Sequence, residues 1–163
     1  MLPFGDDLLA IYLQDHLAGA TAGVELARRA RGQNRGTALG RSLDRLVQEI
    51  EEDRDELEGI MRTLGVGADR VKVAAAWTGE KLGRLKLNGR ITSYSPLSAV
   101  VELQALILGV TAKRALWLAL RGLAEQDERL DPVRLDRLAG RAERQLDSLW
   151  QHHLDAALAA LAE

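Results

Sequence analysis

The chain has 163 residues, 47% hydrophobic, 28% charged and 4% aromatic, with a formal net charge of −2 and no cysteine. That length suits one domain with a substantial core, Ala and Leu in excess of aromatics favour helices over sheets, and the missing thiols exclude disulfides and thiolate metal sites. The N-terminus, Met1-Leu2-Pro3-Phe4-Gly5-Asp6-Asp7, is acidic where a signal peptide is basic, and the most apolar stretch, Leu103 to Ala112, is bracketed by Glu102 and Lys113, short of a membrane span. A cytoplasmic protein is the expectation.

The first predicted helix covers residues 6–31, capped by Asp6 or Asp7. Its apolar arc holds Leu9, Tyr12, His16, Gly19, Gly23, Leu26 and Ala30 at helical spacing, and Gly32-Gln33-Asn34 breaks it. The second covers 36–64 through Leu39, Leu43, Leu46, Ile50, Leu57 and Met61, ending before Gly65-Val66-Gly67. Between Ile50 and Leu57 the expected apolar residue is replaced by Asp53 and Arg54. A shorter helix is predicted over 69–87, with Val71, Ala74, Leu82 and Leu85 on one side and a left-handed cap at Asn88-Gly89. Ser95-Pro96 then signals a helix start, giving a helix over 96–125 that is apolar nearly all round. Asp131-Pro132 repeats the signal for a last helix over 132–162, through Leu135, Leu138, Ala142, Leu146, Leu149, His153 and Ala156.

Four long helices of similar length pack as an antiparallel bundle. Short turns make two hairpins, and the segment between Leu64 and Ser95 is long enough to travel the whole bundle, since about 20 helical residues span roughly 30 Å. The expected fold is therefore a single all-α domain over residues 1–163, with a crossover carrying an extra helix between the two hairpins. An apolar helix over 96–125 fits one covered by that crossover as well as by its neighbours.

With these helix lengths, this connectivity, and the fragments Tyr12-Leu13-Gln14-Asp15-His16-Leu17-Ala18-Gly19-Ala20 and Glu49-Ile50-Glu51-Glu52-Asp53-Arg54, the chain resembles the ferritin-like superfamily. That resemblance implies a four-helix bundle holding two irons or manganeses through a Glu on the first helix, Glu-x-x-His on the second, a Glu on the third and Glu-x-x-His on the fourth. This sequence departs from the pattern. No Glu-x-x-His occurs anywhere, the second helix has no histidine, and only Glu102 and Glu25 are of the required type. The expectation is a degenerate member without the di-metal centre.

Helical angles instead turn one ionisable group per long helix inward: His16, Asp53, Glu102 and His153. Isolated, each is costly to bury. One reading is a nonstandard metal site, because two imidazoles and two carboxylates suit Fe, Mn or Zn. Counting 1.5 Å per residue sets His16 and Asp53 at one level but His153 roughly 10 Å away. The other, favoured reading is a structural polar network, with Asp53 paired to His16 near the Tyr12 hydroxyl, and His153 paired to Glu102 or a backbone group.

Other features have ordinary explanations. Gly19-x-x-x-Gly23 and Gly79-x-x-x-Gly83 suggest close approach of a neighbouring helix or a Trp. Trp77, Trp117 and Trp150 suit core or interface anchors. Residues 70–90 carry six basic side chains against Glu80, while residues 44–58 carry eight acids against two arginines. Mutual neutralisation is the simpler account, and the low overall charge argues against nucleic acid as a partner.

These observations favour a non-enzymatic role, a structural or protein-interaction module with no cofactor expected and a second copy of the chain as candidate partner. The alternative is a metal-dependent oxidoreductase or metal-binding protein using iron or manganese at His16, Asp53, Glu102 and His153.

Overall fold

The computed structural model describes residues 4–68 and 94–162, and these form four helices with no strand among them. They are α1 (Phe4–Gln33), α2 (Ala38–Leu64), α3 (Pro96–Leu123) and α4 (Pro132–Leu161). The short helix expected over 69–87, with Trp77 and all six basic residues between 70 and 90, lies outside the described residues.

Each boundary has a local cause. The Asn34 side-chain amide donates to the Ala30 carbonyl at 2.7 Å and closes α1. The Thr37 hydroxyl accepts from the Gly40 amide at 3.0 Å and opens α2, as an N-cap does. Gly40 is required there, because a Cβ at this position would lie 2.1 Å from the Asn34 carbonyl oxygen. Gly65, at φ +75°, ends α2. Its amide bonds Arg62 O, while that of Val66 bonds Met61 O, the paired closure that a left-handed glycine permits. Ser95 and Ser98 cap each other reciprocally before Pro96 at the start of α3. Asp131 accepts from the amides of Val133 and Arg134 ahead of α4.

Cross-helix bonds fix the directions. Gln14 bonds the Gly67 carbonyl and Arg28 pairs with Glu51, so α1 and α2 are antiparallel. Arg114–Glu143 and Arg121–Asp136 make α3 and α4 antiparallel. Ser42–Ser148 and Glu56–Arg137 do the same for α2 and α4. It follows that α2 and α3, both opposed to α4, run in the same direction. The chain leaves α2 beside Gln14 and returns at Tyr94 beside Asn34. Gln14 and Asn34, which directly follows α1, stand 20 positions apart, roughly 30 Å of helix.

α1 packs on α2 and α3, and α4 packs on the same two, leaving α2 and α3 on a diagonal. Leucines dominate the shared interior, with Leu13, Leu17, Leu43, Leu57, Leu103 and Leu135 all essentially inaccessible. Trp117 is the largest side chain buried there. Trp150, by contrast, is half exposed on α4.

α3 is unusual in where it puts its charges. Glu102 meets Arg29, Lys113 meets Asp53, Arg114 meets Glu143, and Arg121 meets Asp136. Every charged side chain of the helix is thus turned to a neighbouring helix. Its outward face, from Leu97 through Leu108 and Ala115 to Leu118, carries none, and Leu108 is 72% exposed. By length and composition α3 could cross a membrane. The uninterrupted helix is much longer than the apolar stretch bracketed by Glu102 and Lys113.

Candidate functional site

The gap in the apolar series of α2 is filled by a buried ion-pair network. Asp53 follows Ile50 by three residues and precedes Leu57 by four, so helical geometry points it inward, and it is 2% exposed. A carboxylate there demands compensation. It receives four donors. Arg141 of α4 donates to Oδ1 from Nε at 2.8 Å and again from Nη2. Lys113 of α3 donates to Oδ2, and so does Gln145 of α4 at 3.2 Å.

Further bonds brace these partners. The Gln145 amide oxygen accepts from Lys113 and its nitrogen donates to Glu49 at 2.9 Å. Arg141 also donates from Nη1 to Glu52 at 2.7 Å. Arg141 and Gln145 are four apart on α4 and therefore share one face. Burial pushes the Lys113 ammonium below its usual value, and the adjacent Asp53 charge opposes that shift. Burial also works against the Arg141 guanidinium, but Asp53 and Glu52 outweigh it and raise its pKa.

Beside the network lies a cavity of about 430 Å³ between α1, α2 and α3. Small residues create it. Gly19 and Gly23 on α1 face Ala105 and Gly109 on α3 across the space, and a Cβ at any of the three glycines would meet nothing within 4 Å. The Gly-x-x-x-Gly spacing on α1 therefore opens room rather than seating a neighbouring helix. Leu106, Val110 and Leu116 supply an apolar wall, and Lys113 and Trp117 stand on it one helical turn apart.

The four sequence-derived candidates are divided among three places. Asp53 and His16 both line the cavity, but Asp53 is bonded to Lys113, Arg141 and Gln145 in place of His16. The half-buried His16 ring packs edge-on against Tyr12 with centroids 4.6 Å apart. Burial lowers the His16 pKa, and Asp15 pulls the other way.

Glu102 lies in a second cluster toward the other end of α1. It accepts from Arg29 Nε at 2.9 Å and from the Tyr94 hydroxyl at 3.1 Å, and Asn34 donates to that same hydroxyl at 3.0 Å. Burial raises the Tyr94 pKa to about 12; the Asn34 bond lowers it and the Glu102 charge raises it further. His153 is 8% exposed and packs edge-on against Trp150. Its Nδ1 has no partner, neither Glu102 nor a backbone group.

His16, Asp53, Glu102 and His153 do not converge as a shared iron or manganese ligand set. Among the described residues, no three His, Asp or Glu side chains gather within ligand reach. Both Asp53 oxygens are already held by cations and an amide, and Glu102 is held by Arg29 and Tyr94.

Sequence reasoning missed Lys113, Arg141 and Gln145. One signal was available for Lys113, the charge that closes the apolar run from Leu103 to Ala112. For Arg141 and Gln145, the four-residue spacing beside the leucine arc of α4 gave a weaker one. No protein-family model, curated protein or solved structure matches this chain.

Proposed function

We propose that this chain is a degenerate ferritin-like bundle in which an ion-pair network stands in place of a di-metal centre. Its role is non-enzymatic: a structural and protein-interaction module whose partner is a second copy of itself. The parallel run of α2 and α3 supports the ferritin-like reading.

The uncharged outward face of α3 carries the interaction reading. A two-fold contact sets a surface patch against its own copy, so a charge near the axis meets its own like charge. The face from Leu97 to Leu118 avoids that penalty because all its helix's charges are spent on α1, α2 and α4. Leu108, 72% exposed near its middle, is the natural centre of such a contact, and apolar patches of this kind mark association surfaces.

Light scattering across a micromolar concentration series tests this. Wild-type protein is expected to reach the mass of a dimer. Leu108→Glu, which places two carboxylates at the axis without touching the core, is expected to remain a monomer. A wild-type monomer at every concentration, or a Leu108→Glu dimer, overturns the proposal.

A further inference from the structure

The exposed apolar side chains in the last third of α4 fall on one edge of that helix, and the edge adjoins α3. Asp136 and Glu143, seven residues apart, both reach α3, through Arg121 and Arg114. Seven residues make two helical turns, so the row they begin continues through Trp150 and Ala157. Asp147, Leu154 and Leu161 interleave with it at spacings of four and three, the pattern of a helix that packs along another. The row changes character halfway. Its first part is acidic, at Asp136, Glu143 and Asp147. From Trp150 onward it has no charge, and Trp150, Leu154 and Leu161, with Leu158 beside them, are between 49% and 69% exposed.

α3 supplies a second row at the same height. Leu97, Val101, Gln104 and Leu108 follow one another at the same alternating spacings on its outward face. The Arg114–Glu143 and Arg121–Asp136 pairs set the register of these two antiparallel helices. Leu108 stands six residues before Arg114, and Leu149 stands six after Glu143, so Leu108 is level with Leu149 and its neighbour Trp150. By the same count Leu97 is level with Ala160. The two rows form one uncharged plate on the pair of helices that pack most closely. Its leucines and Trp150 leave on the order of 500 Å² of apolar surface bare, which matches the apolar part of the roughly 800 Å² that each partner buries in a stable complex.

We infer that this plate, two helices wide, is the seat of a second copy of the chain, related by a two-fold axis that passes between Leu108 and Leu154. The inference rests on the self-association proposed above and relocates it: α4 contributes a full row, and the half of α3 beyond Leu108 contributes nothing. On that half the α3–α4 edge carries the exposed pairs Arg114–Glu143 and Arg121–Asp136, which keep their water when left outside the contact. Near the axis no charge meets its own copy. Trp150 is a side chain of the type that anchors interfaces.

Sedimentation equilibrium of wild type, Leu154→Glu and Leu118→Glu tests this, with circular dichroism confirming that each exposed-site variant keeps its helices. Wild type is expected to be a dimer and Leu154→Glu a monomer at the same concentration. Leu118 stands fourteen residues beyond Gln104, roughly 21 Å along the helix, so Leu118→Glu is expected to remain a dimer. The chain has no cysteine, and Leu154→Cys is expected to give a disulfide-linked pair on oxidation where Leu118→Cys does not. A Leu154→Glu dimer overturns the placement on α4 and leaves association through α3 standing. A Leu118→Glu monomer, or a linked pair from Leu118→Cys alone, overturns it in the same way. A wild-type monomer at every concentration overturns both this inference and the association beneath it.

Discussion

Lys113 of α3 reaches across the diagonal of the bundle to the Asp53 carboxylate of α2. Those two helices form one of the two diagonals of the bundle and otherwise scarcely touch. The bond matters because both charges have left water: the Asp53 side chain is 2% and the Lys113 side chain 13% exposed. Their attraction offsets desolvation only while every partner is in place.

Asp53→Ala is therefore expected to cost about 3–5 kcal/mol, since it strands Lys113 and the two Arg141 nitrogens that bond Asp53 in the interior. Urea denaturation measures it. The combined replacement Asp53→Leu, Lys113→Met and Arg141→Met is expected to recover most of that loss, because an apolar interior of similar volume carries no desolvation cost. A triple variant as unstable as Asp53→Ala would show that packing, not charge, sets the stability here.

Acid should weaken the fold through His16. Burial holds its pKa below the ordinary 6.5, so between that lowered value and 6.5 the unfolded chain binds more protons than the folded one. Stability then rises with pH across this window and falls on acidification. His16→Gln is expected to flatten the slope in urea melts between pH 5 and 7. An unchanged slope would remove His16 as its source.

At the alkaline end the sign reverses. The Tyr94 hydroxyl titrates at about 12 in the fold against 10.0 ordinarily. From pH 10 upward the folded form holds a proton that the unfolded form has lost, and stability declines until pH passes the folded value. Tyr94→Phe cannot titrate and is expected to be less sensitive than wild type between pH 9 and 11. Equal decline in both would place the alkaline transition elsewhere.

Two glycines should respond oppositely to the same substitution. Gly40→Ala drives a methyl against the Asn34 carbonyl and is expected to destabilise by about 1–3 kcal/mol, as overpacking does. Gly109→Ala places its methyl in open space inside a helix, where Ala exceeds Gly by about 1 kcal/mol, and is expected to stabilise. Thermal melts of the two proteins should move in opposite directions from wild type.

The caps were the most legible part of the sequence. Ser95-Pro96 and Asp131-Pro132 place two helix starts at the observed residue, because hydroxyl or carboxylate followed by proline has few other backbone uses. The long helices follow from apolar spacing, with ends within about two residues: the first begins at Phe4 rather than 6, and the third ends at Leu123 rather than 125. Asp53 was legible as a buried anomaly for the same reason.

Its partners were not. Periodicity tells which way a side chain points but not which neighbour faces it, and a long cation can reach inward from the edge of a helix. Lys113, Arg141 and Arg29 all do so, ending on the buried carboxylates Asp53 and Glu102. Histidine attracted notice as a ligand type, yet His16 and His153 sit against aromatic rings. The chemistry of the interior belongs to lysine, arginine and glutamine.

The network draws its members from both halves of the molecule with opposite sign. Glu49, Glu52 and Asp53 come from the first hairpin, and Lys113 and Arg141 come from the second. Neither half can dry its own inner surface alone. Sliding one half past the other by a single turn, about 5.4 Å, would set leucine against aspartate and leave both signs stranded. Leucines alone would accept several such slips, so it is the acid and its three suitors that tell the two halves where to stop.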